Sequence, residues 1–204
     1  LFTEDSKGEL HDRFRGRVMF PLLDANGHVV GFSGRVLDTT DKSIPKYLNS
    51  PETELFNKRR NLFNFNVARK SARKDGKIYL FEGFMDVISA FSAGVTNGVA
   101  SMGTSLTSEQ VRILSRATNQ LDVCYDGDEP GQNAINRALD LIKENAGSKL
   151  TIRVVQLPAG IDPDEFVQQR GEEKFRQYLS DSEETSVDFK LRFLRHDVNL
   201  SNQA

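Results

Sequence analysis

The segment that decides the fold is LDVCYDGDEPGQNA, at residues 121–134. A short apolar run at 121–125 ends at Asp126, and Asp128 follows two residues later. The run has the length of a buried strand, and the residues after it, with Pro130 near their start, are typical of a helix's first turn. The segment therefore predicts a strand that directs carboxylates beyond its C-terminal end.

The same alternation extends to both sides of this segment. Short apolar runs predict strands, and the longer amphipathic runs between them predict helices. The predicted strands are KIYLFE (77–82), GVAS (98–101), LDVCYD (121–126) and KLTIRVVQLP (149–158), and the predicted helices cover 84–94, 108–117 and 129–147. Strands that alternate with helices of ten or more residues form a mostly parallel sheet with right-handed crossovers. The fold class is therefore α/β, with a mostly parallel sheet flanked by helices.

The N-terminal third has a different pattern. RVMFPLLDANGHVVGFSGRVL, at 17–37, predicts a β-hairpin with its turn at 24–27. Ser50 as N-cap, with Pro51 in the first turn, predicts a helix start, and a further helix is expected at 65–74. This part is thus a hairpin within a mixed α+β region.

The C-terminal part continues with helices. Two short helices are predicted at 162–171 and 172–181, and SVDFKLRFL, at 186–194, begins a further helical subdomain. We expect four parts: a basic N-terminal lobe at 1–75, the α/β domain at 76–158, an acidic extension at 159–185 and the start of a helical subdomain at 186–204.

Composition narrows the class of protein. The 204 residues are 38% hydrophobic and 27% charged, and the net charge of −2 favours no particular partner. The single cysteine, Cys124, excludes internal disulfides and a cysteine-based zinc ribbon within this chain, and it favours a reducing compartment. No run approaches 18 apolar residues, so we expect no membrane association. Because the chain begins with Leu1, it is expected to be part of a longer protein.

Carboxylates follow three of the predicted strands. Glu82 ends the first, Asp126 and Asp128 follow a later one, and Asp162 and Asp164 follow the last. Ligands of open α/β sheets bind outside the carboxyl ends of the strands, so we expect these acids at one rim. Two like charges at 4 Å repel by roughly 4 kcal/mol at an effective dielectric of about 20. All-oxygen ligands favour hard cations, so the pattern predicts Mg²⁺ or Mn²⁺.

Simpler interpretations compete with a metal site. An acid after a strand is an ordinary N-cap, and Asp128 before Pro130 fits that role. Calcium binding of the EF-hand type is rejected, because Pro130 and Arg137 occupy the positions of two required ligands. Cys124 lies inside an apolar strand and is interpreted as a core residue.

These acids carry a resemblance to a known family. Glu82-Gly83, Asp126-Gly127-Asp128 and Asp162-Pro163-Asp164 resemble the Toprim domain of bacterial primases, topoisomerases and some nucleases. The segments RFRGRVMFPLLDANGHVVGFSGRVL, PKYLNSPET, EGFMDVISAFSAG, YDGDEPGQNA and LPAGIDPDEFV are similar to the RNA polymerase core of bacterial DnaG-type primase. The resemblance implies a cytoplasmic enzyme of the replication fork that makes short RNA primers on single-stranded DNA.

The resemblance also implies roles for residues. Glu82, Asp126 and Asp128 are expected to be catalytic, and these three with Asp162 and Asp164 are expected to bind two or more Mg²⁺ or Mn²⁺ ions. Contacts to nucleotide, phosphate or DNA are implied for Arg13, Arg15, Arg35, Lys46, Tyr47, Asn49, Lys58 and Asp86. The implied partners are the DNA template, NTPs and the RNA primer. A replicative helicase and a zinc-ribbon domain are expected to act through parts outside this chain. Guanosine polyphosphates are expected to inhibit by occupying the same pocket.

Two other functions stay open at this stage. A Toprim nuclease or topoisomerase would use the same metals to cleave or rejoin DNA, although Tyr47, Tyr79, Tyr125 and Tyr178 lack the context of a nucleophile. A non-catalytic Toprim module would only bind DNA, and loss of the acids would be expected there.

Overall fold

The computed structural model describes residues 2–38, 40–103 and 105–197. The chain divides into two compact units, 1–57 and 58–204, called here the first and second units. This boundary differs from the one expected at 75/76, and the division into four parts remains a prediction. No helix among the described residues is long and apolar enough to cross a membrane.

The first unit consists of two antiparallel sheets. The strands β1 (Phe2–Glu4) and β2 (Leu10–Asp12) form a hairpin, and β3 (Arg17–Leu23), β4 (Val29–Val36) and β5 (Tyr47–Asn49) form a sheet in the order β3-β4-β5. The predicted hairpin at 17–37 is therefore confirmed. The strands β1, β2 and β5 have only three residues each, too few for an alternating pattern to be recognised.

The turn between β3 and β4 has a local cause. Asp24 Oδ1 accepts hydrogen bonds from the backbone N–H groups of Asn26 (2.8 Å) and His28 (2.9 Å), and Gly27 has a φ of 94°. A short acid followed by a glycine at positive φ is typical of such turns. The sequence thus specifies this hairpin through its turn residues.

The helix predicted to start at Ser50 is wrong. Ser50 Oγ accepts the backbone N–H of Phe32 at 2.9 Å, and the Ser50 N–H donates to the Phe32 carbonyl at 2.8 Å. Ser50 therefore extends the edge of the sheet beyond β5, and its hydroxyl is not available to cap a helix. Thr53 Oγ1 instead accepts the N–H of Phe56, whose fully buried ring fills the core of the unit.

The second unit alternates helices and strands. Its elements are α1 (Phe65–Asp75), β6 (Lys77–Phe81), α2 (Phe84–Ser92), β7 (Gly98–Ala100), α3 (Ser108–Ala117), β8 (Gln120–Cys124), α4 (Glu129–Ala146), β9 (Thr151–Val155), α5 (Pro163–Arg170), α6 (Glu172–Asp181), β10 (Glu183–Thr185) and α7 (Ser186–Asp197). The sheet order is β10-β9-β8-β6-β7, in which β10 alone of the described strands is antiparallel to its neighbour. The predicted α/β class with a mostly parallel sheet is confirmed.

Both faces of this sheet are buried. Ile78, Leu80 and Val123 belong to the core on one face, where α1, α3, α4 and α7 contribute side chains. Phe81 and Cys124 belong to the core on the other face, with side chains from α2, α5 and α6. Complete burial raises the pKa of the Cys124 thiol well above its ordinary value. This agrees with the interpretation of Cys124 as a core residue, because a buried neutral thiol is a poor nucleophile.

A buried ion pair joins Lys77, the first residue of β6, to Asp122 on the neighbouring strand β8. Asp122 is completely buried, with Lys77 Nζ 3.0 Å from its Oδ2 atom and Gln120 Nε2 2.8 Å from its Oδ1 atom. Glu183 also pairs with Lys77. Removing one partner of a buried pair leaves an uncompensated charge.

Lys77→Met is therefore expected to lower the free energy of unfolding by about 3–5 kcal/mol, measured by urea denaturation. The double substitution Lys77→Met/Asp122→Asn removes both charges and is expected to recover most of that loss. If the single and double variants are equally unstable, the cost arises from packing and the assigned role of the ion pair is wrong.

Candidate active site at the C-terminal edge of the sheet

Three adjacent parallel strands carry acids at one edge. Glu82 directly follows β6, Asp126 and Asp128 follow β8, and Asp162 lies at the N-cap of the helix that follows β9. Because β9, β8 and β6 are neighbours and run in the same direction, their carboxyl ends share one side of the sheet. We call the set at this side the acidic edge; its members are Glu82, Asp86, Asp126, Asp128, Asp162 and Asp164.

Two of these acids also cap helices. Asp128 Oδ1 accepts the Gly131 N–H at 2.8 Å, and Asp162 Oδ1 accepts the Glu165 N–H at 2.7 Å. The capping interpretation is therefore correct for both residues. Each cap uses one oxygen, and within the described residues the second oxygen has no hydrogen bond. Capping and cation binding are thus compatible, since the cap fixes the direction of the carboxylate.

Two side chains of α2 connect the acidic edge to the start of α5. Asp86 is buried, and its Oδ2 accepts the Gly83 N–H at 2.9 Å. One turn further, Ser89 Oγ donates to Asp164 Oδ1. These bonds hold the loop after β6 and the start of α5 in one arrangement.

The acids raise one another's pKa values. Burial first, and then the charges of Glu82, Asp162 and Asp128, raise the pKa of Asp126 to about 7. Desolvation and the charge of Asp128 raise the pKa of Glu82, against a hydrogen bond from the Asp126 N–H. A divalent cation would relieve this repulsion, so the donor set fits Mg²⁺ or Mn²⁺.

The carboxylates of the acidic edge are too widely spaced to enclose a metal ion by themselves. Among the described residues, the group of three side chains whose possible ligand atoms all lie within 4.8 Å of one another is instead Asp5, Glu9 and His11, in the first unit. There the Asp5 carboxylate accepts the N–H groups of Lys7 and Glu9 and contacts His11, which stabilises the hairpin loop. Mg²⁺ commonly uses one or two carboxylates together with waters and substrate phosphates, and the wider spacing at the edge suits that mode.

Gly127 lets the loops after β8 and β9 meet. A Cβ atom at this position would lie 2.1 Å from the Pro158 carbonyl oxygen, and the Gly127 N–H donates to the Ile161 carbonyl at 3.3 Å. Any side chain would separate the loop that carries Asp126 from the one that carries Asp162. The glycine is therefore part of what brings the acids together.

Asp86 gives a pH-dependent prediction. Burial first, and then the charges of Asp126, Asp162 and Asp164, raise its pKa from 3.8 to about 7 against the hydrogen bond from Gly83. A carboxyl with a raised pKa in the folded state binds more protons there than in the unfolded chain, so stability falls as pH rises from about 4 to 7.

Asp86→Asn keeps an acceptor for Gly83 and removes the charge. It is expected to raise the free energy of unfolding by about 2–4 kcal/mol at pH 8 and by little at pH 4, in metal-free buffer. Thermal unfolding at both pH values measures this, with the exposed Asp75→Asn as control. A gain of equal size at both pH values would contradict the electrostatic explanation.

Most of the predicted basic residues of the first unit lie close together. The Arg35 guanidinium and Lys46 Nζ lie 6.0 and 5.7 Å from the centre of the Tyr47 ring, and Arg13 Nη2 donates to the Asn49 carbonyl at 3.3 Å. We call Arg13, Arg35, Lys46, Tyr47 and Asn49 together the basic cluster.

Arg15 and Lys58 were also predicted, and each makes a different contact. Arg15 contacts His11 Nδ1 at 3.2 Å, on the hairpin side of the first unit. Lys58 belongs to the second unit, where its carbonyl accepts a hydrogen bond from Gln110.

A cavity beside Glu82 was not predicted. It has a volume of about 560 Å³, and its lining includes Glu82, Tyr125, Arg137 and Leu141. Within the described residues Arg137 has no hydrogen bond or ion pair, and its charge lowers the pKa of Glu82. Helical spacing places Arg137 on the face of α4 that also carries Ala134 and Leu141, and this periodicity is the signal that would have found it. Glu165, whose charge raises the pKa of Asp126, was also missed.

A parallel sheet with acids after three neighbouring strands defines a Toprim-like domain, a class that uses divalent metals. Residues 79–167 match the family described as Toprim-like, and residues 1–69 match the family described as DNA primase catalytic core, N-terminal domain. The chain belongs to the DnaG-type primase family and corresponds to part of its catalytic core.

Individual relatives agree with this assignment. The DNA primase of Enterococcus faecalis is 49% identical over 206 residues, which cover 100% of this chain and 32% of the relative. A DNA primase domain from Pseudomonas aeruginosa is 36% identical, with a TM-score of 0.88, over 99% of this chain and 62% of that one. A DnaG primase catalytic domain solved with single-stranded DNA is 38% identical, with a TM-score of 0.86, over 98% of this chain and 64% of that one. The chain thus spans about one third of the curated relatives it matches.

Proposed function

We propose that this chain carries the nucleotidyl-transfer site of a primase, a DNA-directed RNA polymerase that makes short RNA primers on single-stranded DNA. The observation that carries the proposal is the acidic edge, in which three parallel strands bring mutually repelling carboxylates to one side of the sheet. The family assignment restricts the reaction to one class among those that Toprim-like domains perform.

Asp126, Asp128, Asp162 and Asp164 are proposed to hold Mg²⁺ or Mn²⁺, with Glu82 as a further ligand or as a base. When bound, the ions neutralise the triphosphate and favour ionisation of the primer hydroxyl. In the reaction, the 3′-oxygen forms a bond to the α-phosphorus and pyrophosphate leaves with the electrons of the broken bond. The contribution of the chain is to position these groups through the caps of α4 and α5, since phosphoryl transfer depends mainly on positioning and charge.

The basic cluster is proposed to contact phosphates of the template or of incoming NTPs. Arg35 and Lys46 supply cations, and the exposed Tyr47 ring beside them offers a surface for a base. The relative solved with single-stranded DNA supports a DNA-binding role for this core. Arg13, Asn49, Arg15 and Lys58 are proposed to assist, and contact of Asp86 with a nucleotide remains a prediction.

The cavity beside Glu82 is proposed to receive the nucleotide that supplies the 3′-hydroxyl. Its volume of about 560 Å³ lies within the usual range of ligand pockets. Arg137, whose guanidinium has no partner in the described part of the chain, offers its charge to a phosphate, while Leu106 and Leu141 supply apolar contacts for a base.

The direct test is template-dependent incorporation of labelled ribonucleotides. The chain is assayed as it stands and in place of the matching segment of the Enterococcus faecalis DNA primase, with Mg²⁺ or Mn²⁺ and a single-stranded template. RNA oligomers that require both template and metal are expected. Cleavage of the template without RNA synthesis would favour the nuclease alternative, and binding without either reaction would favour a non-catalytic module.

Further partners remain proposals of the same kind. Guanosine polyphosphates are proposed to compete with NTPs at the acidic edge, and absence of competition at millimolar concentration would contradict this. A replicative helicase and a zinc-ribbon domain are proposed to act through other parts of the full protein, at the replication fork in the cytoplasm.

A further inference from the structure

Three arginines of the second unit surround one cavity that lies away from the acidic edge. Arg69 and Arg73 project from α1, one helical turn apart, and Arg116 projects from the last turn of α3. The cavity has a volume of about 310 Å³. The remaining lining is apolar and consists of Phe65, Ile113 and Ala117. We call this cavity the arginine pocket.

None of the three guanidinium groups has a hydrogen bond, ion pair or ring contact within the described residues. Other surface cations of this unit do have acidic partners: Arg192 lies 2.7 Å from Glu184, and Arg59 lies 3.7 Å from Glu109. Three unpaired like charges around one cavity repel one another, and a bound anion would offset that repulsion. The pocket thus has the charge of an anion site, and no described residue supplies a counter-ion.

The topology separates this pocket from the acidic edge. The helix α1 ends at Asp75, two residues before β6 begins, and α3 ends at Ala117, three residues before β8 begins. The last turns of both helices therefore lie by the N-terminal ends of these strands, whereas the acids follow the C-terminal ends. A five-residue strand spans about 16 Å, so the arginines of the last turns cannot serve a triphosphate bound at the acids.

We propose that the arginine pocket binds phosphate groups of a nucleic acid strand outside the catalytic centre. The proposal rests on the proposed function, because a primase must hold its template beyond the reacting nucleotide. Guanidinium groups bind phosphates through two parallel hydrogen bonds, which distinguishes them from lysine as phosphate ligands. The Phe65 ring, which is only partly buried, adds a surface on which a base can stack.

The affinity of the 204-residue chain for a single-stranded oligothymidylate, measured by fluorescence anisotropy over a range of salt concentrations, tests this proposal. The variant Arg69→Gln/Arg73→Gln/Arg116→Gln removes three phosphate contacts. The slope of log K against log salt is expected to become about 2 less steep, at about 0.7 per contact. At low salt the affinity is expected to fall at least about tenfold.

The chain offers a matched control for net charge. Lys70 and Lys74 lie on the same helix at the same spacing, and Lys143 lies on α4, and all three are exposed. Lys70→Gln/Lys74→Gln/Lys143→Gln changes the net charge equally and is expected to leave the slope nearly unchanged. Thermal unfolding of both variants checks that each is folded.

Competition distinguishes the source of the phosphate. If the oligonucleotide is displaced from the arginine pocket only by other strands, the site takes backbone phosphates as proposed. If millimolar pyrophosphate or ATP displaces it and this effect is lost in the arginine variant, the site takes free polyphosphates instead. Equal slopes for the arginine and lysine variants would overturn the inference alone. Failure of the unsubstituted chain to bind DNA would overturn it together with the DNA-binding part of the proposed function.

Discussion

Asp126→Asn/Asp128→Asn is expected to abolish Mn²⁺ binding at the acidic edge and to lower primer synthesis by at least about 10³-fold. The two residues follow the central strand β8, and the pKa of Asp126 is raised to about 7 by burial and by the surrounding acids. Asparagine at position 128 keeps an oxygen that can accept the Gly131 N–H, so the cap of α4 and the fold are expected to persist. Isothermal titration calorimetry measures the loss of metal binding, and ribonucleotide incorporation measures the loss of activity.

Two acids remote from the edge supply the control for this prediction. Asp75 lies at the end of α1 and Glu144 in the second half of α4, and both are exposed. Asp75→Asn/Glu144→Gln is expected to bind Mn²⁺ as the unsubstituted chain does. If both double variants bind equally, with and without NTP present, the ions lie elsewhere and the roles proposed for Asp126 and Asp128 are wrong.

Gly127→Ala is expected to lower the free energy of unfolding by about 3 kcal/mol or more, because its Cβ would meet the Pro158 carbonyl at 2.1 Å. The backbone fixes the position of the Cβ atom, and the Pro158 oxygen is itself a backbone atom, so no side-chain rotation can relieve the overlap. The loop that bears Asp162 must move away from the loop that bears Asp126, and Mn²⁺ affinity is expected to fall as well. Urea denaturation and calorimetry of one variant therefore report both consequences.

Gly76→Ala separates this overlap from the intrinsic cost of replacing a glycine. Gly76 ends α1 in the left-handed helical region, with φ 75° and ψ −5°, and its Cβ would have no atom within 4 Å. Its substitution is expected to cost only about 1 kcal/mol, from backbone strain, and to leave Mn²⁺ affinity unchanged. Similar losses of stability in both variants would mean that the contact between the two loops is not decisive.

The sequence was sufficient for the described helices of the second unit and for its strands β6 to β9. Its buried strands are continuous apolar runs, and its helices have clear boundaries, such as the Thr107 cap of α3 and Gly94 after α2. The short strands β1, β2, β5 and β10 were not predicted. The strand β7 is equally short, but it is a buried apolar run, whereas the residues of these four strands are exposed or half-buried and form no apolar run. Ser50 fails as a helix cap because β4 supplies its hydrogen bonds.

The acids of the candidate site were predictable for a topological reason. Once the strands are known to be parallel neighbours, their C-terminal residues must share an edge, whatever the side-chain packing. The strand pattern of the sequence therefore indicated five acids by itself: Glu82, Asp126, Asp128, Asp162 and Asp164. Their degree of burial, and with it the pKa of about 7 for Asp126 and Asp86, depends on how the loops pack and could not be predicted.

By itself, the sequence determined the α/β class, the order of the elements and the acids that follow the strands, since these depend on local periodicity and chain direction. Only the tertiary structure decided that Gly127 lies against Pro158, that Arg137 faces the cavity beside Glu82, and that three arginines of α1 and α3 surround a second cavity. Those relations join residues far apart in the chain. They depend on which helix face packs on the sheet, a choice made by the whole core and not by any one segment.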